Sequence, residues 1–129
     1  MKPLGIDLEG DRRDFRPGDT IRGRVHWSLA DPPHALNLRL FWYTQGKGNQ
    51  DVGIAEQVRI DAPPQAGYRP FDLTAPAGPH SFSGKLISLT WALELVSVSD
   101  GQTERAELVI SPSGREIRLH DLHTNGAPT

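Results

Sequence analysis

The chain contains no cysteine, an absence that excludes disulfides, thiolate-held metals, cysteine nucleophiles and a type 1 copper site together. It is also what a reducing compartment favours. No apolar run approaches the roughly 18 residues of a membrane-spanning helix. The opening Met1-Lys2-Pro3-Leu4-Gly5-Ile6-Asp7 lacks the apolar stretch of a signal peptide. A soluble, cytoplasmic protein with no membrane span is therefore expected. Charge of one sign is missing too: 14 Lys and Arg stand against 16 Asp and Glu, well mixed, for a formal net charge of -2. That balance creates no field able to hold a phosphate backbone, so nucleic acid is not an expected partner. The helical period of about 3.6 residues is nowhere sustained, and there is no internal repeat, low-complexity tract or linker. The 129 residues, 36% of them hydrophobic, fit one compact domain over residues 1–129, with residues 123–129 expected as a loose tail.

What the chain has instead is alternation. Over residues 83–99, Ile87, Leu89, Trp91, Leu93 and Leu95 fall on one face while Ser88, Thr90 and Glu94 fall on the other, the period of a half-buried β-strand. At Val96 the phase slips, which predicts a bulge near Leu95 or a strand that changes sheets. Earlier in the chain, Ile6 and Leu8 suit a first strand. Pro17-Gly18 supplies the dihedrals of a type II turn. Residues 20–28 then alternate with Ile21, Gly23, Val25 and Trp27 on one face and Arg22, Arg24, His26 and Ser28 on the other. Residues 35–44 place Leu36, Leu38, Leu40 and Trp42 inward and Asn37, Arg39, Phe41 and Tyr43 outward. A polar loop leads into residues 52–61, which alternate through Ile54, Glu56, Val58 and Ile60 and complete a hairpin. Residues 68–74 form a strand carrying Phe71 and Leu73. Asp100-Gly101 is a strong hairpin signal, returning residues 103–111 antiparallel to the long strand, and residues 116–122 add a last short strand. Turn signals every eight to fifteen residues predict an all-β fold, an antiparallel two-sheet sandwich.

Catalytic and cofactor signatures fail on inspection. Between Gly78 and Gly84 lie five residues where a phosphate loop has four, and Leu86 stands where a Ser or Thr must reach the metal. Gly46-Lys47-Gly48 reads as a hairpin tip. No Gly-x-Ser-x-Gly elbow exists, and Ser81 beside His80 is a loop neighbour rather than a nucleophile with its base. The carboxylates are scattered singly. No enzyme and no cofactor are expected. Arg22, Arg24 and Arg39 offer a basic stripe, or simply a solvated face paired with neighbours such as Asp72 or Glu94. Phe41 and Tyr43 stand out because they lie on the nominally wet face, where aromatics mark interfaces or the contact with a covering layer.

Two stretches carry a family likeness. Phe15-Arg16-Pro17-Gly18-Asp19-Thr20-Ile21-Arg22-Gly23-Arg24-Val25 is similar to the Pro-Gly turn and Gly-x-Val strand of the arrestin-like family. Phe71-Asp72-Leu73-Thr74-Ala75-Pro76, leading through Pro79-His80-Ser81-Phe82-Ser83-Gly84-Lys85-Leu86 into the long strand, resembles that family's extended segment and Gly-Lys strand entry. The resemblance implies a β-sandwich of immunoglobulin-like character used for protein-protein interaction and trafficking, and its single-domain bacterial relatives are the nearer comparison. No Lys pair or buried charge cluster matches the phosphate-sensing elements of two-domain arrestins, so receptor binding does not carry over. The reading is a non-enzymatic interaction or scaffold module. It would dock a protein partner, or a second copy, through an exposed strand edge or through Phe41, Tyr43, Arg39 and the Gly46-Lys47-Gly48 rim. The alternative is a small-ligand module, taking carbohydrate on Trp42 and Tyr43 or a metal on His120 and His123.

Overall fold

Ten strands, and no α-helix among the described residues, make up the computed structural model, which describes residues 2–46, 50–84 and 86–115 and the backbone of residues 117–118. Strands β1 (Leu4–Leu8), β3 (Thr20–Ser28) and β6 (Ala66–Thr74) form a small antiparallel sheet in the order β1-β3-β6. The larger sheet runs β10 (Ile117–Arg118), β7 (Phe82–Ser83), β8 (Ile87–Ser97), β4 (Ala35–Gly46), β5 (Val52–Asp61). Strand β9 (Thr103–Ile110) lies against the C-terminal part of β8, and β2 (Asp14–Phe15) lies against β9. The expected purely antiparallel sandwich is corrected in two places, because β2 pairs with β9 and β10 with β7 in parallel. Both additions are two residues long and distant in sequence from their partners, so no hairpin dictates their direction.

The inner faces supply one core. Ile21, Val25, Trp27 and Leu73 from the small sheet meet Leu36, Leu38, Leu40, Leu89, Trp91, Leu93 and Leu95 from the large one, with Phe71 packed at the margin. Trp91 is fully buried, and its indole Nε1–H donates to the Pro79 carbonyl at 2.7 Å; Trp27 does the same to Pro64 at 2.8 Å. A ring that large has its polar edge satisfied only because a proline-rich loop turns a carbonyl toward it.

The long strand is simpler than its sequence. Strand β8 ends at Ser97 in regular register with β4, which sets Val96 opposite Asn37 and Ser97 opposite Leu36. Ser97 is therefore a buried serine on the core side, not the mark of a bulge or of a change of sheet. Beyond it, the chain turns through Asp100 and Gly101 (φ 74°) into β9 as expected. The other turn is equally direct: Gly18 has φ 90°, and the Asp19 N–H donates to the Arg16 carbonyl at 3.0 Å. Buried Ser81 serves this framework, since its Oγ accepts the Ile110 N–H at 3.0 Å. His80 is turned away to the Ala77 carbonyl, 3.0 Å distant.

Two measurements test this framework. Trp91→Ala opens a cavity at the centre of the core and should cost roughly 3 to 5 kcal/mol, read from urea unfolding; an unchanged midpoint would mean that β8 faces the other way. Asp19 is held below the usual carboxylate range, first by the Arg16 N–H and then by the Arg12 guanidinium, at 2.8 and 2.6 Å from its Oδ2. A carboxyl depressed on folding stabilises above its unfolded pKa and loses that contribution as pH falls through the folded one. Asp19→Asn should therefore lower the melting temperature at pH 7, and the gap to the parent should close below about pH 4.

Candidate interaction surface

Strand β4 lies in the large sheet between β8 and β5, and its register with each assigns faces to its side chains. Leu36, Leu38, Leu40 and Trp42 point into the core, opposite Ser97, Leu95, Leu93 and Trp91. Asn37, Arg39, Phe41 and Tyr43 point out, opposite Val96, Glu94, Ala92 and Thr90. The expected split of this strand is the observed one. It also separates Trp42 from Tyr43, which lie on opposite faces and make no shared platform for a sugar ring.

Phe41 points outward without being wet. It is 6% exposed because Arg105, reaching across from β9, lays its guanidinium 5.0 Å from the Phe41 ring and 5.2 Å from Tyr43. The two rings stack at 5.8 Å. Arg105 is fixed in turn by Glu94, opposite it in register, at 3.1 Å. Burial pulls its pKa down, but the Glu94 carboxylate and the Tyr43 oxygen more than offset that, for a net upward shift. The Tyr43 hydroxyl donates to Glu107 at 3.1 Å, and its pKa is raised, first by burial and then by that carboxylate. The aromatic pair is thus a roofed cluster rather than an open anchor.

The open apolar surface lies one strand further out, where sequence reasoning did not place it. Leu40 pairs with Glu56 but its neighbour Phe41 pairs with Ile54, so Ala55 is an extra residue in β5, a β-bulge. The bulge turns the phase. Val58 and Ile60 face the core opposite Leu38 and Leu36, whereas Val52 and Ile54 face out opposite Tyr43 and Phe41 and are 65% and 48% exposed. A β-carbon at Gly53 would collide with the Trp42 indole, so only glycine lets that ring close the inner side at this point. Among the described residues no strand lies beyond β5, and none pairs with its outer edge.

Arg39 lies in this same outer face. Its opposite number Glu94 is taken by Arg105, no ion pair involves Arg39 among the described residues, and its buried Nε has no hydrogen-bond partner. Asn37 bonds Gln57 at 2.9 Å, and Arg59 pairs with Asp61 at 2.6 Å. Arg22 and Arg24 do not join Arg39 in a stripe, because they sit on the outer face of the small sheet, Arg24 over the exposed Tyr68 ring at 5.2 Å. Gly46 closes β4 with φ 143°. Lys47, Gly48, His120 and His123 lie outside the described residues. No group of three or more His, Asp or Glu side chains is placed to hold a metal among the described residues. A cleft of about 560 Å³ between β1 and β9 is lined by groups that pair with one another, Lys2 with Glu104 at 2.9 Å and His26 with Asp7 at 3.3 Å.

Two curled sheets around a single core, with the larger one mixed, define an all-β sandwich. No protein-family model matches the chain, and no curated protein matches it. Among solved structures it is similar to Spo0M, the sporulation control protein of Bacillus subtilis, with a TM-score of 0.57 and 17% identity over 86% of this chain and 50% of that one. That neighbour has an arrestin-like fold, so the likeness supports the fold class expected from the Pro-Gly turn and the long strand. The chain spans about half the length of Spo0M. No described helix is long and apolar enough to cross a membrane.

The roofed cluster can be checked by titration. In a Tyr68→Phe background, Glu107→Gln should move the Tyr43 phenol down toward its ordinary value, followed by ultraviolet absorbance. An unmoved titration would mean that Glu107 does not reach it.

Proposed function

We propose that this chain is a non-enzymatic protein-interaction module that docks an extended segment of a partner against the free edge of β5. The observation that carries the reading is the bulge at Ala55, which sets two exposed apolar side chains, Val52 and Ile54, on the outer face beside a ten-residue edge that no described strand pairs. Strand addition takes affinity from main-chain hydrogen bonds and specificity from alternate side-chain positions, and this edge offers both. Strand β6, which ends the small sheet, is less suited to it. Pro70 in β6 has no N–H, and a proline is accommodated in an edge strand with its missing donor facing outward. The cysteine-free composition supports work in a reducing, cytoplasmic setting. The aromatic cluster of Phe41 and Tyr43, capped by Arg105, would then be the floor behind the contact, with Gly46 at its rim.

Burying Val52 and Ile54 is worth roughly 1.5 kcal/mol or more each, so the Val52→Ser/Ile54→Ser double variant should weaken partner binding at least about 100-fold. Its melting temperature should stay near the parent's, because both side chains are exposed. Amide hydrogen exchange on the complex should show new protection along β5. Protection on β6 or β1 with none on β5 would overturn the reading.

A further inference from the structure

The outer face along β5 is divided by charge. At one end are Val52 and Ile54, backed by Tyr43 and Phe41; at the other are Gln57 and Arg59, backed by Arg39 and Asn37. Arg59 is answered by Asp61, and Glu94 is committed to Arg105. Arg39 is answered by nothing among the described residues, and its Nε is buried without an acceptor. Arg39 sits one strand in from this edge, opposite Gln57, and its guanidinium, unpaired among the described residues, is suited to an acceptor brought across β5 by whatever covers that edge.

We infer that the segment accepted by β5 is an acidic-apolar strand: a Glu or Asp that answers Arg39, followed at alternate positions by two apolar residues that cover Ile54 and Val52. This rests on the reading of β5 as the docking edge. The order is that of a strand added antiparallel to β5, the direction taken by the long pairs β4-β5, β4-β8 and β8-β9 of this sheet. An added strand antiparallel to β5 meets Arg59 and Gln57 with its N-terminal half and Ile54 and Val52 with its C-terminal half. Across the bulge, the outward positions opposite Gln57, Ile54 and Val52 on the β4 side are Arg39, Phe41 and Tyr43, each two residues from the next. A regular strand on the far side matches that spacing with acid-x-apolar-x-apolar. A second copy of this chain fits less well. Antiparallel pairing of β5 with itself about a two-fold axis sets the Arg59 end of one copy against the Ile54 end of the other, leaving both Arg39 side chains unanswered.

The test uses the full chain and three capped peptides: Thr-Thr-Glu-Thr-Ile-Thr-Val-Thr-Thr, a twin with Lys for Glu, and a twin with Ser for Ile and Val. Binding is followed by nuclear magnetic resonance on the isotopically labelled protein. The first peptide should shift the amides of β5 and bind at least tenfold more tightly than either twin. The advantage of Glu over Lys should disappear in Arg39→Gln, whose melting temperature is measured in parallel, and should shrink with added salt. If the Glu and Lys peptides bind β5 equally, the acidic requirement is overturned while strand addition stands. If no peptide perturbs β5, or if the free protein self-associates with protection of β5, both this inference and the extended-partner reading are overturned.

Discussion

Two tryptophan rings hold the fold together, and each depends on a carbonyl from a proline-rich loop. Trp91 and Trp27 bury large apolar surfaces between the sheets, but an indole N–H left without an acceptor there would cost much of what the ring contributes. The carbonyls of Pro79 and Pro64 remove that penalty and in return fix the loops that carry them. The second of these loops joins β5 to β6. The same hydrogen bond that completes the core of the small sheet therefore anchors the end of β5 and the start of β6, so the proposed docking edge is positioned by the core.

The parts of the fold that were legible in the sequence are those fixed by local chemistry. The alternation of β3, β4 and β8 follows from residues two apart, and the Pro17-Gly18 and Asp100-Gly101 turns follow from dihedrals that glycine supplies without strain. Contacts between residues far apart along the chain were not legible. Nothing local announces that Asp14–Phe15 lies beside Val109–Ile110. Ser97, a polar residue at a core position, looked like a change of phase because composition alone cannot separate a buried serine from a shifted strand.

The site was half legible for the same reason. Arg39, Phe41 and Tyr43 face outward as their alternation requires. Phe41 is nonetheless covered, since Arg105 comes from 64 positions further along the chain, as does the carboxylate two residues beyond it that accepts the Tyr43 hydroxyl. Val52 and Ile54 share sequence parity with Val58 and Ile60, and an unbroken strand would put all four in the core. One alanine, with no unusual dihedral preference to mark it, moves the first two to the surface. The charged Glu56 that follows pairs with inward-facing Leu40 and is exposed, an inward-pointing charge of the kind that blunts non-specific pairing of an edge strand.

Pro70 has a consequence for how many molecules can join. A protein with two competent strand edges can pair one edge with the other on the next copy, and since such a contact does not close on itself, it grows into a filament. Strands β5 and β6 are each the last strand of their sheet's order and are joined by the short loop 62–65, which makes them the natural pair for such growth. With one N–H deleted from the middle of β6, that addition is interrupted after a few residues, and propagation stops at its first step. Under the proposed docking role, Pro70 lets β5 stay open to a partner while β6 offers the next copy no matching edge.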